Sequence, residues 1–195
     1  MVSDSALEGL GPVFRWAQAR DAGVTQPELG RLLESGRVER IGHGLYLRDD
    51  APALDLDLVE VAVTAPEATL CLASALARHD LVDEIPSMID LALPKNMHRP
   101  KLAAPVRWHQ FDPATFEIGR NQLEVSPGFR IWMYDAPRSI VDAYRLRHHQ
   151  GYELAREALR NWLRRPGNQP SDLMEVARRF PKAHRQLRDD LQVLL

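Results

Sequence analysis

The chain has one cysteine in 195 residues, Cys71, set in the apolar run Leu70-Cys71-Leu72-Ala73. A lone thiol builds neither a disulfide framework nor a thiolate metal cage, and such apolar neighbours mark a core residue. No apolar run reaches the roughly 18 residues that a membrane-spanning helix needs. The opening MVSDSALEGLG has neither a basic start nor an apolar centre, so it does not read as a secretory signal, and the expected location is the cytoplasm. A large excess of one charge is also missing. The net charge of −2 argues against a generic nucleic-acid coat protein. There is no glycine-rich phosphate loop, no GxSxG, no HExxH and no CxxC. Internal repeats and low-complexity tracts are absent too. No cofactor or metal is expected.

What remains is ordinary globular material, 45% apolar and 27% charged. Its length suits one large domain, or a small one of about 50 residues beside a larger partner. The richest stretch is residues 14–48, FRWAQARDAGVTQPELGRLLESGRVERIGHGLYLR. Ala19, Gly23 and Leu29 have the spacing of a two-helix unit: a small residue at the crossing, a glycine in the turn, a leucine in the shared core. Thr25-Gln26-Pro27-Glu28 opens the second helix as a capping box, because hydroxyl and carboxylate can each satisfy an orphan N–H. Leu29, Leu32 and Leu33 form its buried face, and Ser35-Gly36 ends it. Val38 to Ile41 and Leu45 to Leu47 then flank Gly42-His43-Gly44, a β-hairpin with glycines where positive φ is needed. Together these predict a winged helix-turn-helix, a unit that usually reads DNA.

Charge is unevenly spread. Residues 1–50 carry −2, residues 51–129 carry −5 and residues 130–195 carry +5. The predicted DNA unit is thus not basic as a whole, yet residues 31–48 hold Arg31, Arg37, Arg40 and Arg48 against Glu34 and Glu39 only. A local positive face is compatible with the acidic sum.

Asp49 to Ala53 reads as a linker broken by Pro52. Beyond it, Leu58 to Val63 suits a helix or a buried strand, and periodicity does not decide. Ala73 to His79 reads as helix, and Met88 to Leu93, Val106 to Phe111 and Phe129 to Tyr134 as strands. From Ser139 on the pattern is helical. Ser139-Ile140-Val141-Asp142 has capping-box spacing, a second helix runs from Leu154 to Leu163, Ser171 caps a third through Phe180, and a fourth follows Pro181. The expected fold class is α+β: a winged helix-turn-helix over 1–50, then a mixed α/β domain over 51–195. Within that domain the small sheet spans 51–135 and a C-terminal helical bundle spans 139–195.

Three segments resemble the AbiEi-type antitoxins of type IV toxin–antitoxin, or abortive-infection, systems. Ala22-Gly23-Val24-Thr25 through Leu32, with Arg40-Ile41-Gly42-His43-Gly44-Leu45-Tyr46, resembles that family's winged helix and its R-x-x-x-G-[VL]-Y ending. Ala73-Ser74-Ala75-Leu76, His79-Asp80-Leu81 and Ile89-Asp90-Leu91-Ala92-Leu93-Pro94 resemble its SAL…HGL…lavP pattern, with Asp80 where glycine is usual. Pro137-Arg138-Ser139-Ile140-Val141-Asp142 resembles P-x-R-T-[LV]-[VL]-D, with Ser139 for threonine. The resemblance implies an autorepressor of its own operon and a C-terminal region that counteracts a nucleotidyltransferase-type toxin. Double-stranded operator DNA with inverted repeats would be the partner, bound by a chain monomeric in solution or dimeric on DNA.

On this reading Gln26, Glu28 and Arg31, early in the second helix, face the major groove, where glutamine suits adenine and arginine suits guanine or phosphate. Arg37, Arg40, His43 and Arg48 flank the groove or the backbone, although Arg37 could equally pair with Glu34 or Glu39. A second basic surface is offered by Arg156, Arg160 and Arg164 at helical spacing and by Arg178, Arg179, Lys182 and Arg185. A solvated face is the plainer account of it. Two rivals stay open. One is a protein–protein adaptor that touches no DNA. The other is a metal-dependent nuclease using Asp90 near Lys95, although Leu93-Pro94-Lys95 lacks its second carboxylate. Ser139, Asp142 and His148 contain the atoms of a triad, but capping accounts better for Ser139 and Asp142. No active site is expected.

Overall fold

Within the stretch 14–48 the first helix begins after Phe14. In a computed structural model that describes Leu7, residues 9–42 and residues 44–195 (His149 and Gln150 by backbone alone), Phe14 lies in a strand, β1 (Val13–Arg15). Its ring stacks on Tyr46 with centroids 5.6 Å apart, so burial against an aromatic overrides helix entry. Helix α1 (Trp16–Asp21) follows, and Gly23 at φ +89 makes the turn that residues with a Cβ resist. Helix α2 (Gln26–Glu34) starts at Thr25, as the sequence predicts. Strands β2 (Val38–Gly42) and β3 (Leu45–Arg48) complete an antiparallel sheet of order β1-β3-β2. Ala19, Val24, Leu29, Leu32, Val38 and Tyr46 are buried between this sheet and the helices.

Residues 49–50 are held in place by ion pairs, Asp49 to Arg37 and Asp50 to Arg48. The ambiguous segment after them is a helix, α3 (Leu56–Thr64), because Asp55 accepts the Leu58 N–H at 3.2 Å and fixes its start. A five-stranded sheet follows, built from β4 (Thr69–Leu70), β5 (Ile89–Pro94), β6 (Val106–Phe111), β7 (Arg120–Ser126) and β8 (Phe129–Tyr134). Its order is β6-β5-β4-β8-β7, with β5–β6 and β4–β8 parallel and the other pairs antiparallel. Helix α4 (Leu72–Arg78) links β4 to β5, and the single turn α5 (Pro113–Phe116) links β6 to β7.

Each face of this sheet is covered. On one side α3 supplies Leu58, Val59, Val61 and Ala62 against Leu70, Leu91, Leu93 and Ile131. Val13 and Leu45 of the N-terminal sheet belong to that same cluster, so apolar packing continues across residue 50. On the other side Cys71, Ala92, Phe111, Phe116 and Tyr134 meet beneath the helices. These are α6 (Ala136–Arg145), the short α7 (Arg147–Gln150), α8 (Tyr152–Leu163), α9 (Pro170–Ala177) and α10 (Pro181–Leu194). Helix α6 is the hub, touching α4, α8, α9 and α10. The architecture is thus mixed α+β. Among the described residues no helix is long and apolar enough to cross a membrane.

Two expected caps are corrected. Asp135, not Ser139, caps α6, its Oδ1 accepting the Arg138 N–H at 2.8 Å. Pro137 sets this start, since its missing N–H is harmless only in the first turn. Ser139 is a buried helical residue whose Oγ donates to the Tyr134 carbonyl at 3.3 Å. Likewise Gln169 precedes α9, with Pro170 as its first residue, and Ser171 lies inside the turn and bonds Asp172 at 3.2 Å. That helix ends at Ala177, short of Phe180, which is the N-cap of α10.

Candidate nucleic-acid interface

Helix α2 owes its start to a compact set of bonds. The Glu28 carboxylate accepts the Thr25 backbone N–H at 2.8 Å and the Thr25 hydroxyl at 2.7 Å. These two bonds hold the Glu28 carboxyl below its ordinary range. Leu29 and Leu32 turn inward, so the helix must present its other side to solvent. There Gln26 and Arg31 are exposed. Arg31 Nε donates to the Pro27 carbonyl of its own helix at 3.4 Å, and among the described residues no ion pair ties it down. Glu28 is therefore committed to its cap, while Gln26 is exposed in the first turn of α2 and Arg31 in its last.

The hairpin arginines divide in the same way. Arg40 is exposed and donates to the Gly42 carbonyl at 3.2 Å, next to a register shift in the β2–β3 pair. Arg37 meets Asp49, Nε to Oδ2 at 3.2 Å, a partner the sequence did not suggest. Arg48 is a clamp. Its Nη1 donates to the Leu7 and Leu10 carbonyls at 2.7 and 3.0 Å, and its other nitrogens grip Asp50, whose carboxyl is held low in consequence. His43 lies outside the described residues. The Trp16 N–H donates to the Gly44 carbonyl at 3.1 Å, fastening the start of α1 to the end of the hairpin.

On the C-terminal helices Arg160, Arg164, Arg178, Arg179, Lys182 and Arg185 are exposed, Arg185 being 4.0 Å from Asp189. Arg156 differs. It is half-buried over the Tyr152 ring and lies 3.9 Å from Asp190. Asp190 itself is buried and accepts from both Tyr144 (2.7 Å) and Tyr152, which pushes both phenols up, with burial the larger cause. By its position among Arg185, Arg188 and Asp189 the sequence alone gives Asp190 the look of a surface counter-charge. The structure turns it into the core, where no sequence signal pointed.

A second buried set also escaped sequence reading. Arg138 and Asp142 are both fully buried and paired at 2.9 Å, and Arg145 meets the other Asp142 oxygen at 2.9 Å. The Arg138 guanidinium donates to the Thr115 and Ile118 carbonyls and lies between the Tyr134 and Phe180 rings. The i, i+4 spacing of Arg138 and Asp142 was the available signal. This arrangement keeps Asp142 away from any triad with Ser139 and His148. Asp90 is buried against His109 and sits at the opposite end of β5 from exposed Lys95. Among the described residues no three His, Cys, Asp or Glu side chains converge to hold a metal ion.

Residues 4–48, the segment holding α1, α2 and the hairpin, match the family described as a transcriptional regulator, AbiEi antitoxin. Residues 49–195 lie outside that match. No curated protein matches the chain.

Proposed function

We propose that this chain is a DNA-binding transcriptional regulator of the AbiEi antitoxin type, with residues 1–50 as a winged helix-turn-helix and residues 51–195 as the antitoxin region. The observation that carries the reading is the coincidence of two facts. The segment that matches the family is the one whose second helix buries Leu29 and Leu32 and leaves Gln26 exposed in its first turn and Arg31 exposed in its last. The N-terminal end of a recognition helix, where Gln26 lies, is the part that enters the major groove, and Arg31 follows it along the exposed side. Gln26 and Arg31 would read base edges, and Arg40 and His43 would meet the backbone. Glu28 would orient the helix through its cap, and Arg37 and Arg48 would hold the hairpin in place. Two copies of the chain on inverted repeats would repress the operon that encodes them, in the cytoplasm.

The C-terminal region would counteract a nucleotidyltransferase-type toxin, with Arg160, Arg164, Arg178, Arg179, Lys182 and Arg185 offering a surface to DNA or to the toxin, and Arg156 anchoring it from within. Charge reversal at Arg178, Arg179 and Lys182 should impair toxin neutralisation or cooperative DNA binding. Full retention of both would leave the patch as a solvated face.

The direct test is fluorescence anisotropy with the chain's own upstream DNA and a scrambled duplex at two salt concentrations. Binding selective for the native duplex should weaken with salt, and Arg31→Ala should cost about 1–3 kcal/mol if it reads a base. Equal or absent binding to both duplexes would overturn the regulator reading and favour an adaptor.

A further inference from the structure

A cavity of about 410 Å³ lies between the start of β5, β6 and the first turns of α8. Small-molecule sites typically occupy about 300–1,000 Å³. Four carboxylates line it, from Glu84, Asp90, Glu153 and Glu157, against the single guanidinium of Arg107. An acidic rim alone is common on solvated surfaces. Asp90 is different in kind, because its side chain is 1% exposed.

The two Asp90 oxygens are treated unequally. His109 Nε2 donates to Oδ1 at 2.8 Å, and Arg107 Nη1 stands 3.6 Å from that same oxygen. Oδ2 has no partner among the described residues. A buried carboxylate oxygen left unpaired is costly, and proteins seldom keep one without a donor to meet it. The fold holds the residue firmly nonetheless: the Asp90 N–H donates to Ser74 Oγ at 2.8 Å, and its carbonyl accepts the Cys71 N–H at 3.0 Å. Glu157 is also set in place, by the Asp83 N–H at 3.0 Å. The N-terminal end of α8 borders the cavity, and Glu153 in its first turn offsets the partial positive charge that would favour an anion there.

We propose that this cavity binds a small organic cation, a guanidinium or alkylammonium head that donates to Asp90 Oδ2 while Glu153 and Glu157 hold its outer end. Met88 and Leu154 also line the cavity and suit a methylene chain. His109 and Arg107 occupy Oδ1 and so leave one oxygen for the ligand. The site is independent of the exposed face of α2.

Isothermal titration of the full chain with agmatine, which carries a guanidinium and an ammonium on a four-carbon chain, tests this. Glutarate serves as the anionic control. Saturable one-to-one binding of agmatine is expected, weakened about tenfold or more by Asp90→Asn, the loss of one charge-assisted hydrogen bond. Glu153→Gln, at an exposed rim position, should weaken it by a smaller factor and tests the site even if Asp90→Asn does not fold. Absence of saturable binding would overturn the proposal. So would glutarate binding as tightly as agmatine, or agmatine binding unchanged in both variants.

Discussion

Asp142, itself fully buried, joins two arginines, and that fixes what its loss would do. Asp142→Ala leaves the Arg138 and Arg145 guanidiniums unpaired beneath Phe111 and Phe180. Breaking such a buried pair typically costs about 3–5 kcal/mol, and urea unfolding should show a loss of that size. The corrected caps give a sharper contrast. Asp135→Ala should lose about 0.5–2 kcal/mol as an N-cap does, whereas Ser171→Ala should change stability by less than about 0.5 kcal/mol, as a surface substitution does. Equal effects would mean that the caps were assigned to the wrong residues. Why one cap was legible and another was not is physical. Thr25-Gln26-Pro27-Glu28 carries its own proline, which allows a helix to start only there. The spacing from Ser139 to Asp142 carries no such restriction, and Pro137 two residues upstream had already set the start. Proton linkage follows at the same residues. Glu28 and Asp50 titrate below their ordinary values in the folded chain, so the unfolded chain binds more protons over that window. Their contribution is complete above the ordinary carboxylate range and is lost as pH falls through the lowered values. Asp135 acts in the opposite sense, because burial raises it and its ionisation opposes folding as pH rises. Glu28→Gln should therefore flatten the acid limb of a stability–pH curve followed by circular dichroism, and an unaltered limb would remove the cap from the account.

At the level of elements, two glycines separate backbone freedom from close packing. Gly30 lies in α2 with nothing within 4 Å of where a Cβ would stand. Gly30→Ala should raise stability by about 1 kcal/mol, the difference in helix propensity, and a loss would show that the position is more crowded than the helix requires. Gly119 joins α5 to β7 at φ +71, and a Cβ there would lie 2.7 Å from the Arg138 Cβ. Gly119→Ala should cost about 1–3 kcal/mol from backbone strain, with the clash added to it. The elements most readily read from sequence were those with strong local patterns: α2, the hairpin, β5, β6 and β8. Strand β7 escaped because its run, RNQLEVS, has apolar residues only at Leu123 and Val125. Strand β4, two residues long, escaped because it exists only through its neighbours β5 and β8. The parallel pairs β4–β8 and β5–β6 join segments by crossovers, which no local pattern encodes.

For the whole molecule the telling feature is the cluster that holds both Leu45 of the hairpin and Leu58 of α3. The sequence shows the break in composition at Asp49 to Ala53 but not the apolar contact that spans it, since Val13 and Leu45 look like the core of their own small unit. Leu45→Ala should cost about 2–5 kcal/mol, and tryptophan emission and far-ultraviolet circular dichroism should still report one coincident urea transition. Two separated transitions would mean that the N-terminal sheet is stabilised on its own. The candidate interface was legible to the extent that it rests on local helix chemistry. The acidic cavity was not, because Glu153 and Glu157 are distant in sequence from Glu84 and Asp90, and only the packing of α8 beside the sheet brings them to one wall.

The shared cluster also has a mechanical side. A load applied through duplex held against α2 would pass into Val13 and Leu45, and from them directly into the five-stranded sheet, with no slack tether to stretch first. Pulled between such a duplex and its C-terminus in an optical trap, the chain should give way in a single rip, as a welded joint does, where a hinged one would yield in two.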